Sequence, residues 1–130
     1  MNAPFKTPDA ETAPLWDLSD LYPARDDARV AADLATATTL VAALNALQGR
    51  MIAERADPAA LGAVLNQAIG LYEQGADRLG AVSAYAFLSA STARDDAAAQ
   101  GFEADVREKI TAIATPTIWL TLEINQLEEA

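Results

Sequence analysis

Apolar residues recur at intervals of three and four over three long stretches of this 130-residue chain. In a helix of 3.6 residues per turn, that spacing aligns the apolar side chains along one face. No stretch shows the alternation of apolar and polar residues that half-buried strands require. Alanine, which has the best intrinsic helix propensity, is abundant throughout. We therefore predict an all-α fold.

The first predicted helix runs from about Ala24 to Arg55. The second begins at Asp57-Pro58, because aspartate caps helices well and proline suits the first helical position. The apolar face of the first helix is predicted from Val30, Leu34, Ala37, Val41, Leu44, Gln48 and Met51, and that of the second from Leu61, Leu65, Ala68, Tyr72, Leu79, Val82 and Ala86.

Four glycines lie within the second predicted helix, and two interpretations of them stay open. One is that a glycine marks a break in the helix, near Gly75, because glycine lowers helix propensity. The other is that Gly75 and Gly80 allow the backbone of another helix to approach closely.

The third predicted helix is capped by Thr92 or Asp95 and continues to the end of the chain. Pro116 lies inside it, where it removes a backbone hydrogen bond and clashes with the carbonyl of Ala112, so a kink is expected. Its apolar face is predicted from Phe102, Val106, Ile110, Ile113, Thr117, Leu120, Ile124 and Leu127. Three such helices joined by short loops predict an elongated antiparallel bundle over residues 24–130.

Residues 1–23 are predicted to form an extended leader and a strap. The segment 14–23 concentrates large apolar side chains between two prolines, and Asp17 or Ser19 is expected to cap one helical turn there. In one hypothesis, residues 15–22 pack along the bundle. In another, they contact a separate domain.

Trp119 raises the same question, because it lies off the main apolar face of its helix. It forms either a second packing face within the bundle or a docking surface. Trp16, Leu18 and Trp119 are therefore the candidate residues for an interdomain or self-association surface. Exposed apolar patches promote self-association, so we expect some homodimer.

Composition excludes several functions. The chain has neither histidine nor cysteine, which removes histidine-based catalysis, thiol nucleophiles, and metal sites built on either residue. The net charge of −10 disfavours nucleic acid and anionic lipid surfaces as partners. We also see no secretory signal and no apolar stretch long enough to span a bilayer, so the cytoplasm is the expected location. No catalytic, cofactor-binding or metal-binding residue is predicted.

Three segments resemble a known family. "WDLSDLYP" at 16–23 is similar to a motif of the M3 zinc oligopeptidases, the oligoendopeptidase F group. "RLGAVSAYAFLSASTARDDAAA" at 78–99 and "EKITAIATPTIWLTLEIN" at 108–125 resemble two later segments of that group in the same order. The resemblance covers nearly the whole chain.

The resemblance implies a helical, non-catalytic amino-terminal domain that walls the substrate cleft of a peptidase. Its partners would be the catalytic domain of the same polypeptide and short peptide substrates. The zinc ligands of the family lie in a His-Glu-x-x-His motif that this chain lacks, so zinc is expected only in a catalytic domain beyond it. The chain is accordingly expected to be a fragment of a longer enzyme. A stand-alone helical interaction module is the alternative.

Overall fold

The computed structural model describes residues 16–128, and every regular element within that range is helical. The elements are α1 Ala28–Asn45, α2 Arg50–Ala53, α3 Pro58–Thr92, α4 Ala97–Ala114, a single 3-10 turn Thr115–Thr117, and α5 Trp119–Glu128. They correspond to three long helices, of which the first and third are bent. The predicted all-α helical bundle is confirmed.

The first predicted helix is wrong in its limits and its continuity. It begins at Ala28, capped by the Asp27 carboxylate, and α1 ends at Asn45. Gly49 then adopts a φ of 83°, a left-handed conformation that favours glycine, before the short helix α2 begins. Periodicity missed this break because the apolar spacing continues across it to Met51.

The start of the second helix is predicted correctly. Asp57 caps α3 by accepting hydrogen bonds from the backbone N–H groups of Ala59 and Ala60, and Pro58 is its first residue. α3 then runs without a break for 35 residues, a length of about 52 Å at ~1.5 Å rise per residue.

The structure answers the question about the glycines of α3. Gly75 is buried against α1, where an added Cβ would meet Leu40 and Val41 at an ordinary contact distance of 3.9 Å. A Cβ at Gly80 would meet nothing within 4 Å. Gly75 is therefore not a break, and neither glycine is required for close approach of helices.

The third predicted helix bends where proline was expected to bend it. α4 is capped by Asp96 rather than by Thr92 or Asp95. The 3-10 turn containing Pro116 separates α4 from α5. The predicted kink is therefore confirmed, because Pro116 cannot supply the backbone hydrogen bond of a continuous helix.

Two hydrophobic clusters, at opposite ends of the bundle, hold the helices together. The first contains Tyr22, Val30, Val82, Tyr85, Ala86 and Val106. The second contains Leu44, Leu47, Met51, Val64, Ala68, Trp119 and Leu120. The start of α1 packs with the end of α3, and the end of α1 with the start of α3. Sequential helices are therefore antiparallel, as predicted.

The described part of the strap contains the single helical turn expected there, in which the backbone N–H groups of Leu21 and Tyr22 donate to the carbonyl of Leu18. The Asp17 carboxylate accepts a hydrogen bond from the backbone N–H of Ser19 at 2.9 Å, which confirms Asp17 as the cap. Leu18, Leu21 and Tyr22 then pack against the bundle. The predicted leader and Leu15 lie outside the described residues.

One described segment could span a membrane by length and apolar composition alone. It is Ala28–Ala53, which covers α1 and α2. We expected no stretch long and apolar enough to span a bilayer, and this segment meets both of those criteria. The indication is weak, because core helices of soluble proteins pass the same test. Here the segment is interrupted at residues 46–49 and packs against α3.

Candidate interaction surface

Asp33 joins the strap to two helices. The Tyr22 hydroxyl donates a hydrogen bond to Asp33 Oδ2 at 2.6 Å, and Arg78 Nη1 donates to Asp33 Oδ1 at 2.8 Å. Tyr22 is only 3 % exposed. Its burial, together with the bond to the Asp33 carboxylate, raises the pKa of Tyr22 to about 12. The hydroxyl is therefore neutral and donates its proton at physiological pH.

Aromatic side chains continue this junction into the bundle. The Tyr22 and Tyr85 rings meet edge to face, with centroids 5.3 Å apart. Tyr85 makes a similar contact with Phe102 of α4 at 6.0 Å. Such pairs contribute about 0.5–1.5 kcal/mol beyond their area burial. The strap is therefore an integral part of this end of the bundle.

Glu123 organises the opposite end. Glu123 is 6 % exposed, and its carboxylate accepts hydrogen bonds from the backbone N–H groups of Gly49, Met51 and Ile52 at 2.8, 3.1 and 3.3 Å. It thus caps α2 from a distant part of the chain. Sequence reasoning missed this residue. The available signal was its position three residues after Leu120, at the border of the apolar face.

The three predicted surface residues do not form one surface. Trp16 is 69 % exposed and Leu18 is half-buried against the first cluster. Trp119 is 7 % exposed, and its Nε1 donates to Asn45 Oδ1 at 2.7 Å. The docking interpretation of Trp119 is therefore corrected. The bend at Pro116 turns Trp119 inward, and it forms a packing face within the bundle.

Other large apolar side chains are exposed instead. Tyr72, predicted on the buried face of α3, is 48 % exposed. Sequence reasoning did not single out the remaining exposed residues, which are Ile69, Phe87, Ile118 and Leu122. Ile118 and Leu122 are four positions apart and share one side of the carboxyl-terminal arm, which we define as residues 118–128, as i and i+4 residues do. These exposed side chains are the apolar surface available to a partner.

A cleft of about 710 Å³ lies between the strap, the end of α3 and the start of α4. The Arg25 guanidinium binds the Asp96 carboxylate there at 2.9 Å. The hydrogen bond from Arg25 lowers the pKa of Asp96. This pair fastens the segment between the strap and α1 to the start of α4, while Arg25 Nη1 is buried without a hydrogen-bond partner among residues 16–128.

A second cleft, about 420 Å³, lies between the end of α3 and the outer face of α4. Its lining combines the exposed ring of Phe87 with the guanidinium groups of Arg94 and Arg107. Among residues 16–128, no cluster of three or more metal-ligating side chains occurs. The described surface therefore offers apolar contacts and charge, which are the elements of a binding surface.

Comparison with known proteins finds no match: no family model, curated protein or solved structure is significantly similar to the chain.

Proposed function

We propose that this chain is a non-catalytic, amino-terminal helical domain of an M3-type zinc oligoendopeptidase. In that role it walls the substrate cleft and limits access to short peptides. Zinc and its ligands belong to a catalytic domain beyond this chain, which is the partner that the bundle packs against. The enzyme works in the cytoplasm.

One observation carries the proposal: the segments that resemble the family supply long-range contacts that hold the bundle together. Tyr22, from segment 16–23, contacts Tyr85, from segment 78–99. Tyr22 and Arg78 also bind the same carboxylate, that of Asp33. These segments are far apart in sequence, and a motif that specifies a structural domain is expected to supply such long-range contacts.

The third similar segment, 108–125, has a corresponding role at the other end. It contributes Trp119 and Glu123, which bind Asn45 and the start of α2. All three segments therefore contribute contacts between the helices of the bundle. This distribution supports a scaffolding role within a larger enzyme.

The decisive experiment is to read the gene downstream of codon 130 and then test the assembled protein. We expect the reading frame to continue into a His-Glu-x-x-His helix. We also expect the longer protein to cleave a short fluorogenic peptide, with activity lost on chelation and restored by zinc. A reading frame that ends, or that enters an unrelated domain, would reject the proposal.

A stand-alone helical interaction module is the second candidate, and the exposed apolar side chains favour it. Ile118 and Leu122 are 70 % and 56 % exposed and lie one helical turn apart, a spacing that suits contact with an amphipathic partner helix. Under this alternative the gene would lack the zinc motif. The chain alone should not cleave peptides under either candidate, with or without added zinc.

A further inference from the structure

The cleft between the end of α3 and α4 differs in charge from its neighbours. It is lined by Arg94, Arg107 and a single carboxylate, that of Glu103, so its lining carries a net charge of +1. By the same count, the cleft beside the strap carries −1, from one arginine and two aspartates. The groove between α1 and α3 also carries −1, again from one arginine and two aspartates.

This positive cleft stands out in a chain whose net charge is −10. Glu103 forms an ion pair with Arg107 one helical turn away. No carboxylate of the described residues lies within ion-pair distance of Arg94. Within residues 16–128 the Arg94 guanidinium therefore has no ion-pair partner, and a guanidinium can bind a carboxylate through two parallel hydrogen bonds.

Phe87 adds an apolar contact to the same cleft. Its ring is 60 % exposed, and Phe87 lies on α3 five positions before the helix ends at Thr92, whereas Arg94 follows that end. Both side chains line the same cleft, so one peptide lying in it would contact both.

We propose that this cleft binds an acidic peptide segment that carries a carboxylate together with a large apolar side chain. The carboxylate binds Arg94, and the apolar side chain packs on Phe87. Charge complementarity favours this occupant, because the lining of this cleft is positive whereas the linings of the other two clefts are negative. The proposal is independent of the function proposed above and holds for either candidate.

The test uses three fluorescein-labelled heptapeptides and the full chain at physiological salt. The first peptide has one phenylalanine and two glutamates. The second and third replace the glutamates with glutamine or lysine. Fluorescence anisotropy should show the glutamate peptide binding roughly threefold or more tightly than the glutamine peptide. Net charge alone would favour the lysine peptide, so preference for glutamate isolates the cleft.

Matched variants locate the site. Arg94→Glu should weaken binding of the glutamate peptide about tenfold, because attraction becomes repulsion, and Phe87→Ser should have a similar effect. Arg55→Glu makes the same charge change at an exposed position at the opposite end of α3 and should leave the affinity within about twofold. Both cleft residues are exposed, so circular dichroism should show unchanged folding.

Three outcomes would overturn the proposal. The first is no anisotropy change at millimolar chain concentration. The second is tighter binding of the lysine peptide. The third is an equal loss of affinity in Arg55→Glu and Arg94→Glu, which would reduce the effect to non-specific electrostatics.

Discussion

Asp33 is a single residue that fixes three parts of the molecule. Asp33 lies on α1. The Tyr22 hydroxyl of the strap donates a hydrogen bond to one oxygen of the Asp33 carboxylate, and the Arg78 guanidinium of α3 donates to the other. A hydrogen bond between a hydroxyl and a charged carboxylate contributes more than one between neutral groups. The junction therefore concentrates stability in a few polar atoms beside an apolar cluster.

Replacing Tyr22 with phenylalanine removes the bond to Asp33 and keeps the aromatic packing. We expect the free energy of unfolding to fall by about 1.5–3 kcal/mol, as measured by urea denaturation. Tyr72→Phe is the matched control, because it makes the same change on a side chain that is 48 % exposed. Equal stability of the Tyr22→Phe variant and the parent would show that Asp33 does not hold the strap.

The same variant gives a pH-dependent readout. The pKa of Tyr22 is raised from 10.0 to about 12 in the folded chain, so the folded state binds its proton more tightly than the unfolded state. The associated stability is complete below pH 10 and is lost as pH rises toward 12, by roughly 2 to 3 kcal/mol. The stability difference between parent and Tyr22→Phe should shrink across that window.

At the scale of elements, two bends shape the bundle, and they meet each other. The bend at Gly49 places the start of α2 beside α5, and the bend at Pro116 brings α5 across to meet it. Glu123 joins the two through backbone hydrogen bonds. Each bend is therefore stabilised by contacts with an element that is distant in sequence.

Removing the Glu123 carboxylate should destabilise this end of the bundle. Glu123→Ala leaves buried backbone N–H groups of α2 without an acceptor, which we expect to cost about 2–4 kcal/mol in the free energy of unfolding. Glu108→Ala is the matched control, since Glu108 is an exposed glutamate on α4. Thermal melting of both variants checks this. A similar small effect for the two would contradict the capping role.

Two glycine substitutions should have opposite signs. Gly49→Ala forces a Cβ into a left-handed conformation, where φ is 83°, and should destabilise by about 1–2 kcal/mol. Gly62→Ala lies within α3 with nothing near the added Cβ and should stabilise by about 0.5–1 kcal/mol. Chemical denaturation of the pair distinguishes a required glycine from a dispensable one. Destabilisation by both would show that α3 needs Gly62.

At the scale of the whole molecule, the two tryptophans differ in how much they contribute to the stability of the fold. Trp16→Ala should change the free energy of unfolding by less than about 0.5 kcal/mol, because the side chain is 69 % exposed. Trp119→Ala should cost about 3–5 kcal/mol, since it empties a buried site and leaves Asn45 without its donor. Differential scanning calorimetry of both variants measures the two losses of stability. A large loss for Trp16→Ala would restore the hypothesis that its ring packs along the bundle.

Self-association remains a prediction of the whole chain, now assigned to different residues. Ile118 and Leu122 are exposed neighbours on the carboxyl-terminal arm. Light scattering at rising concentration should show some dimer, and the double change Ile118→Ser and Leu122→Ser should reduce it. Asp105→Ser, on an exposed part of α4, serves as a control. A monomeric mass throughout would reject the prediction.

Much of the fold followed from local patterns. The helical class, the start of α3 at Asp57-Pro58 and the kink at Pro116 were all predictable, because periodicity, capping and proline chemistry act within a few residues. The break at Gly49 was not predictable, because the apolar spacing continues across the break. Only the positive φ of Gly49 in the structure reveals the break. The exposure of Tyr72 was missed because periodicity identifies a face but not how fully the neighbouring helices cover it: Ala68 and Gly75 on the same helix are buried, whereas Tyr72 is 48 % exposed.

The sequence by itself therefore determined that this protein is a helical bundle without imidazole or thiol chemistry. Only the tertiary structure decided that Trp119 is buried, that Glu123 caps α2, and that Phe87 and Arg94 share a cleft. The physical reason is range: propensity and capping depend on neighbours along the chain, whereas burial and charge pairing depend on residues that come together only when the helices pack.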